Sequence, residues 1–300
     1  MRRPSVEVVV PSYKGAWRLE RLLESVKLFD PVARAYRWTV YEDPSTRCST
    51  KAYERVCRRY AVDFVRLPEW SNMHGAARFA FEHSSSDWVF YLGDDVLATP
   101  DSISKAIEFV RNNNPQTVAL IQPSYWNAHD LSVEGYDGSP GFMPHGENKR
   151  VNGRPILLTV KEDMYSLSPD WVTRVPRNPH WDGAGVARPY INVNGVGFLC
   201  HLPTWHDVGG FAFQSWCLDE SISWKVWTRS PRGVVCLPGN PLIHYFGAAT
   251  LSNPPQSDAY KEEKWIEEFG LTKQECDVRV RDIMAERFSA ISEEMHKAVY

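Results

Sequence analysis

Two carboxylates stand side by side in Gly93-Asp94-Asp95, directly after the apolar run Trp88-Val89-Phe90-Tyr91-Leu92. That run is too short for an ordinary helix and rich in aromatic and β-branched residues, so it reads as a buried strand. Paired acids at the end of such a strand are costly unless a cation or hydrogen-bond donors meet them. A hard divalent ion carrying phosphate oxygens suits the position, because open α/β sheets bind ligands beyond the carboxyl ends of their strands. A plainer reading stands beside it. With Thr99-Pro100-Asp101-Ser102 following, the acids would be a polar turn leading to a helix N-cap.

Further acids sit at comparable places. Glu42-Asp43 follows the apolar run Tyr36–Tyr41, and Asp219-Glu220 opens a segment with helical character that runs to Trp227. Carboxylates in a first turn are also favoured by the helix dipole alone.

Something must carry these residues to one place. Val6–Val10 reads as a central parallel strand ending at Pro11-Ser12-Tyr13, and Leu19, Leu22, Leu23 and Val26 give the next segment a helical face. A strand over 36–41, a helix over 49–60, a strand over 63–67 and a helix from Asn72 to His83 lead to the Trp88 run. Alternation of this kind means βαβ units and a mostly parallel sheet flanked by helices. The topology would bring the polar strand ends to one rim. A helix from Ile103 to Val110 and a strand over 118–122 follow. From 123 to 189 glycine, proline and aromatics become frequent, which predicts a loop-rich region with a hairpin over 155–160. Order returns at 190–199 and at a strand over 233–237. Beyond Pro254-Pro255, helices are predicted over 258–269 and from Thr272, the second with Cys276, Val280, Ile283, Met284, Phe288 and Ile291 on one face. The expected divisions of the chain are 1–122, 123–250 and a helical extension over 251–300.

Composition narrows the class. At 43% hydrophobic and 24% charged residues, the chain is globular rather than disordered. A formal charge of −3 gives no global drive toward nucleic acid or anionic membrane. No apolar stretch reaches the roughly eighteen residues of a membrane span, and Glu7 and Pro11 interrupt any leader-like run. The six cysteines lack paired spacing, which fits reduced thiols in a cytoplasmic protein rather than a zinc or disulfide framework.

Four separated segments together resemble the family 2 inverting glycosyltransferases. Val8-Val9-Val10-Pro11-Ser12-Tyr13 is similar to their opening strand and turn, and Glu42-Asp43-Pro44-Ser45 to their acidic pair after the second strand. Asn72, Gly75, Ala77 and Arg78, followed by Trp88–Val96, resemble the helix and the Asp-x-Asp segment. Gly209-Gly210-Phe211, then Leu218-Asp219-Glu220, resembles the acceptor-side motif. The resemblance covers about residues 6–250 and implies a GT-A fold, a Rossmann-like α/β sheet with a nucleotide-sugar-binding half over 1–122 and an acceptor-binding half over 123–250. Gly93 stands where the family has its first Asp, and Leu218 where it has Glu.

The resemblance implies site roles. Pro11, Tyr13, Glu42, Asp43, Asn72, Gly75, Arg78, Asp94 and Asp95 would hold a nucleotide-diphosphate sugar. Asp95 and His244 would hold Mn²⁺ or Mg²⁺, the imidazole favouring manganese. Asp219 or its neighbour Glu220 would deprotonate the acceptor, and Trp205, Gly210 and Trp216 would line the acceptor site. Each also has a structural alternative, such as capping, a surface salt bridge or core packing. The expected acceptor is a glycan hydroxyl. A second possibility is a hydroxymethylated DNA base, with Arg150, Arg154, Arg174, Arg177 and Arg188 meeting phosphates. A non-catalytic carbohydrate-binding protein on the same fold is a third. A nucleotidyltransferase would need a glycine-rich phosphate loop, which Pro11-Ser12-Tyr13-Lys14-Gly15 is not. Oligomeric state is not legible.

Overall fold

A computed structural model of the chain describes residues 2–13, 15–44, 50–69, 71–127, 150–151, 154–155, 188–212, 218–244 and 258–299. The first half follows the expected alternation. Strands β1 (Val6–Ser12), β2 (Arg37–Glu42), β3 (Asp63–Arg66) and β4 (Trp88–Leu92) pair in parallel in the order β3-β2-β1-β4. Helices α1 (Ala16–Phe29), α2 (Thr50–Tyr60) and α3 (Asn72–His83) connect them. Leu19, Leu22, Leu23 and Val26 of α1 and nearly every residue of β1 and β4 are buried, which is why the strands read as continuous apolar runs.

The second half departs from a simple parallel sheet, and the departure builds the site. After β4 come a two-residue strand, β5 (Val96–Leu97), helix α4 (Ser104–Asn113) and β6 (Val118–Asn127). Short strands β7 (Arg150–Val151) and β8 (Arg154–Pro155) pair with each other, whereas most of the hairpin expected over 155–160 lies outside the described residues. β9 (Arg188–Pro189), β10 (Gly197–His201), α5 (Leu202–Asp207), α6 (Leu218–Arg229) and β11 (Gly233–His244) follow. β10 inserts between β4 and β6, antiparallel to both, so its beginning meets the end of β4. β11 runs well past the expected 237 and pairs antiparallel with β5, setting His244 opposite Val96. The mixed, mainly parallel sheet expected from the sequence is therefore present, with helices packed on it.

The predicted C-terminal helices are α7 (Asp258–Phe269) and α8 (Lys273–Val299). Cys276, Val280 and Ile291 of the expected apolar face are buried, but Phe288 is 48% exposed. Ile283 and Met284 are half-buried against the core as well, so the stripe packs on the body along most of its length, with Phe288 turned outward. Among the described residues, no helix is long and apolar enough to cross a membrane.

Gly197 marks where β10 meets the end of β4. A Cβ there would lie 2.7 Å from Leu92 Cδ2 and 3.1 Å from Leu242 Cδ1. Gly197→Val should lower unfolding stability by about 1–3 kcal/mol through overpacking, read as an earlier urea midpoint. An unchanged midpoint would show that the strand contact is looser than described.

Candidate active site

Asp94 lies at the end of β4 and is almost wholly buried. Burial of a lone carboxylate is prohibitive, and three side-chain contacts offset it. Arg18 Nε donates to Asp94 Oδ1 at 3.0 Å, and Arg18 Nη2 donates to Oδ2 at 3.2 Å, a two-pronged pair. The Ser12 hydroxyl, at the end of β1, also donates to Oδ2. Tyr53 of α2 continues the network, its hydroxyl 3.0 Å from Ser12 Oγ and 2.6 Å from the Gly15 amide nitrogen, which donates to it. A Cβ on Gly15 would sit 2.1 Å from Asp94 Oδ2, so only glycine admits the carboxylate here. Burial pushes the Asp94 carboxyl upward, opposed by the guanidinium of Arg18. Asp94 is therefore held as an anchor by Arg18 and Ser12.

With Asp94 held, the next residue points elsewhere. Asp95 Oδ2 lies 3.5 Å from His244 Nε2, across the β5–β11 pairing. Burial would raise the Asp95 carboxyl too, but His244 and Arg18 outweigh it and hold Asp95 below its usual range. Two ligand atoms 3.5 Å apart can share one ion at ordinary bond lengths of about 2.1–2.2 Å with an angle of roughly 110°. One carboxylate and one imidazole suit manganese among the divalent ions. Among the described residues, no cluster of three or more His, Cys, Asp or Glu side chains forms. A bound ion would take its other ligands from phosphate oxygens and water. Gly93 is explained by the same crowding: a Cβ there would fall 2.8 Å from Asp95 Oδ1.

Along the neighbouring strand ends, Glu42 and Asp43 are both buried. Asp43 Oδ1 accepts from the Ser71 amide at 2.8 Å, just before α3. Glu42 Oε1 accepts from Thr50 Oγ1 at 3.2 Å, while its buried Oε2 has no hydrogen-bond partner among the described residues. Burial raises the Glu42 carboxyl. A buried acceptor without a donor, at a strand end, is suited to a ligand N–H or hydroxyl. Pro11 is buried opposite Tyr41, and Tyr13 offers its carbonyl to Arg18 Nη2 at 2.9 Å. Asn72 and Gly75 lie in the first half of α3, where a Gly75 Cβ would strike Ser71. Arg78, one turn on, donates to the Phe211 carbonyl at 2.6 Å. It ties α3 to the Gly-Gly-Phe loop, in place of the phosphate or acidic partner expected from the sequence.

On the facing side, Asp219 is clamped at the start of α6. Its Oδ2 accepts from the Gly195 amide at 2.7 Å and its Oδ1 from the Glu220 amide at 3.0 Å. Gln122 of β6 holds that loop: its Oε1 accepts from the Asn194 amide, and its Nε2 donates to the Pro123 and Gly197 carbonyls. Burial, then the charge of Glu220, pushes the Asp219 carboxyl up to about 6. Tyr91, buried between β1 and β10, links the two sides. Its hydroxyl is raised by burial, then by Asp95, Asp219 and Asp94, so all three carboxylates lie within electrostatic reach of it. Glu220, the alternative base, is ion-paired with Lys273, 2.8 Å from its Oε2.

Two residues expected at the acceptor site have structural settings. Trp205 is 4% exposed and packs on Phe81 and Phe211, each 5.4 Å between ring centroids, so it belongs to the core. Gly210 has a left-handed φ of +61°, and a Cβ would lie 2.9 Å from the Trp205 ring, so it is a turn residue under that ring. Trp216 lies outside the described residues. Sequence reasoning missed Arg18, Ser12, Tyr53, Gln122 and the 192–196 loop. Only an arginine within the apolar side of α1 hinted at the first.

Residues 7–131 match the sequence model of Glycosyl transferase family 2. No curated protein matches the chain by sequence. Among solved structures, S. aureus TarS 1-349 in complex with UDP-GlcNAc is similar at a TM-score of 0.52 and 14% identity, over 95% of this chain and 73% of that one. The mannosyltransferase PcManGT from Pyrobaculum calidifontis, in complex with GDP-Man and Mn²⁺, gives 0.51 and 15%, over 96% and 76%. GalNAc-T7 with UDP, GalNAc and Mn²⁺ gives 0.53 and 14%, over 81% of this chain but only 44% of its own length. At such identities the likeness is one of fold. The family 2 resemblance and the GT-A fold expected from the sequence are both borne out.

Arg18→Met would leave Asp94 buried and uncompensated, and should cost about 3–5 kcal/mol of stability. Arg18→Met combined with Asp94→Leu should recover most of that loss in denaturant unfolding. No recovery would mean that Arg18 stabilises α1 by packing rather than through Asp94.

Proposed function

We propose that this chain, whose residues 7–131 match the family 2 glycosyltransferase model and whose fold is GT-A, carries out metal-dependent, inverting transfer of a sugar from a nucleotide-diphosphate donor to an acceptor hydroxyl. A glycan hydroxyl is the acceptor class that the family resemblance implies. Residues 1–122 act mainly on the donor in this reading, and 123–250 on the acceptor. The observation that carries it is the convergence of Asp95, paired with His244 at 3.5 Å, and Asp219 around Tyr91.

The roles follow from the geometry. Asp95 and His244 hold a divalent ion, which when bound would neutralise the charge developing on the departing diphosphate. Glu42 Oε2 accepts from the nucleoside, and Asp43 keeps the start of α3 beside it. Asp219 takes the proton of the acceptor hydroxyl as that oxygen bonds to the anomeric carbon. The bond from that carbon to the phosphate oxygen breaks, its electron pair leaving with the nucleoside diphosphate. Direct displacement of this kind inverts the anomeric centre. Gly195 and the Glu220 amide each hold one Asp219 oxygen, orienting the carboxylate.

Thermal shift with UDP- and GDP-sugars, each with and without Mn²⁺, tests donor and metal together. Stabilisation that requires Mn²⁺ supports the reading; none with any donor of the panel contradicts it. Asp95→Ala and His244→Ala should each weaken Mn²⁺-dependent donor binding at least tenfold.

Asp219→Asn should keep donor binding and lower transfer by at least a hundredfold. Because the Asp219 carboxyl sits near 6 and must be ionised to accept a proton, turnover should fall as pH drops through about 6. Transfer by Asp219→Asn at the parent rate would remove it as the base.

A further inference from the structure

The helical pair α7–α8 lies beyond the segment that matches family 2, yet it docks on the helix that carries Asp219 and Glu220. Three contacts make the joint. Lys273 Nζ, in the first turn of α8, lies 2.9 Å from Glu220 Oε1 and 2.8 Å from Oε2. Lys225 of α6, buried, pairs with Glu268 of α7 at 3.4 Å and donates to the Gly209 carbonyl at 3.2 Å. Trp224 packs on Phe269 with ring centroids 4.3 Å apart. The turn between α7 and α8 is itself pinned. Glu275 accepts from the amide and hydroxyl of Thr272, both at 2.8 Å, and the Trp265 indole N–H points at Cys276 Sγ at 2.9 Å. Lys273 is thus delivered to one carboxylate by a fixed turn.

We propose that Lys273 is a positioning residue of the acceptor side: by holding and neutralising Glu220, it leaves Asp219 as the carboxylate that takes the acceptor proton. This rests on the assignment of Asp219 as the base. Both acids stand at the start of α6, and their mutual repulsion would otherwise drive a proton onto one of them. An ammonium within 3 Å of both Glu220 oxygens offsets part of that repulsion, the remainder of which still raises Asp219. It also draws Glu220 toward α8, so the two neighbours take different roles. The other charged or titratable groups around the pair are Tyr91 of β4 facing Asp219, with Asp94 and Asp95 beyond it, and Asp277 of α8 facing Glu220, with Arg281 next to Asp277. Tyr91 is neutral and Asp277 is itself acidic. Lys273 is therefore the cation that acts on Glu220 among the described residues named here.

The test needs no acceptor. Protein labelled with ¹³C at its aspartate carboxyls is titrated by NMR, and the Asp219 signal is identified by its loss in Asp219→Asn. Lys273→Met should move the Asp219 midpoint upward by roughly half to one pH unit, Lys273→Gln should do the same, and Lys273→Arg should restore the parent value. In a Glu220→Gln background, Lys273→Met should move the midpoint clearly less, because the charge it compensates is gone. An unmoved midpoint in folded Lys273→Met or Lys273→Gln overturns the proposal. So does an equal shift in the Glu220→Gln background. Sugar transfer by Asp219→Asn would instead overturn the base assignment and leave the titration result standing, so the two failures are distinguishable.

Discussion

The site depends on one constraint: a carboxylate must stay ionised inside the protein at the end of β4. Arg18 meets it from the first turn of α1, with Ser12 and Tyr53 completing the hydrogen bonds. The interaction joins β1, α1, α2 and β4, so the parallel half of the sheet is locked at the edge where ligands would bind. Its price is that both Asp94 oxygens are engaged within the protein. Its return is orientation, because fixing Asp94 turns Asp95 toward His244. A buried pair of this kind adds less stability than specificity of arrangement.

The antiparallel insertions complete what the parallel strands begin. β10 brings the 192–196 loop against the end of β4, where the Gly93 amide donates to the Val196 carbonyl at 3.1 Å. The same loop presents the Gly195 amide to Asp219. β5 and β11 pair for only two residues, yet this sets His244 beside Asp95, and Thr99 Oγ1 adds a bond to the Pro241 carbonyl at 2.7 Å. The Asp95–His244 pair and Asp219 are thus connected through backbone contacts a few residues long, which resist the independent movement of either.

Much of the donor half was legible because its signals are local. The apolar runs of β1 and β4 and the leucine face of α1 each announce an element, and polar residues at their ends announce a rim. Arg18 was not legible, since one charged residue on an amphipathic helix looks like solvent-facing charge until its partner, 76 positions later, is placed. β5 is too short to carry a period. Gln122 reads as the polar end of a strand, and its amide becomes informative only when Asn194 arrives beside it. Trp205 erred in the other direction: a tryptophan near a motif suggests stacking on a sugar, but Phe81, Phe211 and Gly210 enclose it. The acidic pair at 219–220 was visible as a pair, and the division of labour within it came only from Lys273 and Gly195.

Pulsed electron paramagnetic resonance of Mn²⁺ bound with UDP or GDP tests the central arrangement most directly. If Asp95 and His244 share the ion, the manganese signal should show directly coordinated imidazole nitrogen, and His244→Ala should abolish that coupling. Manganese that binds with nucleotide but shows no nitrogen coupling, or one that survives His244→Ala, would contradict the account.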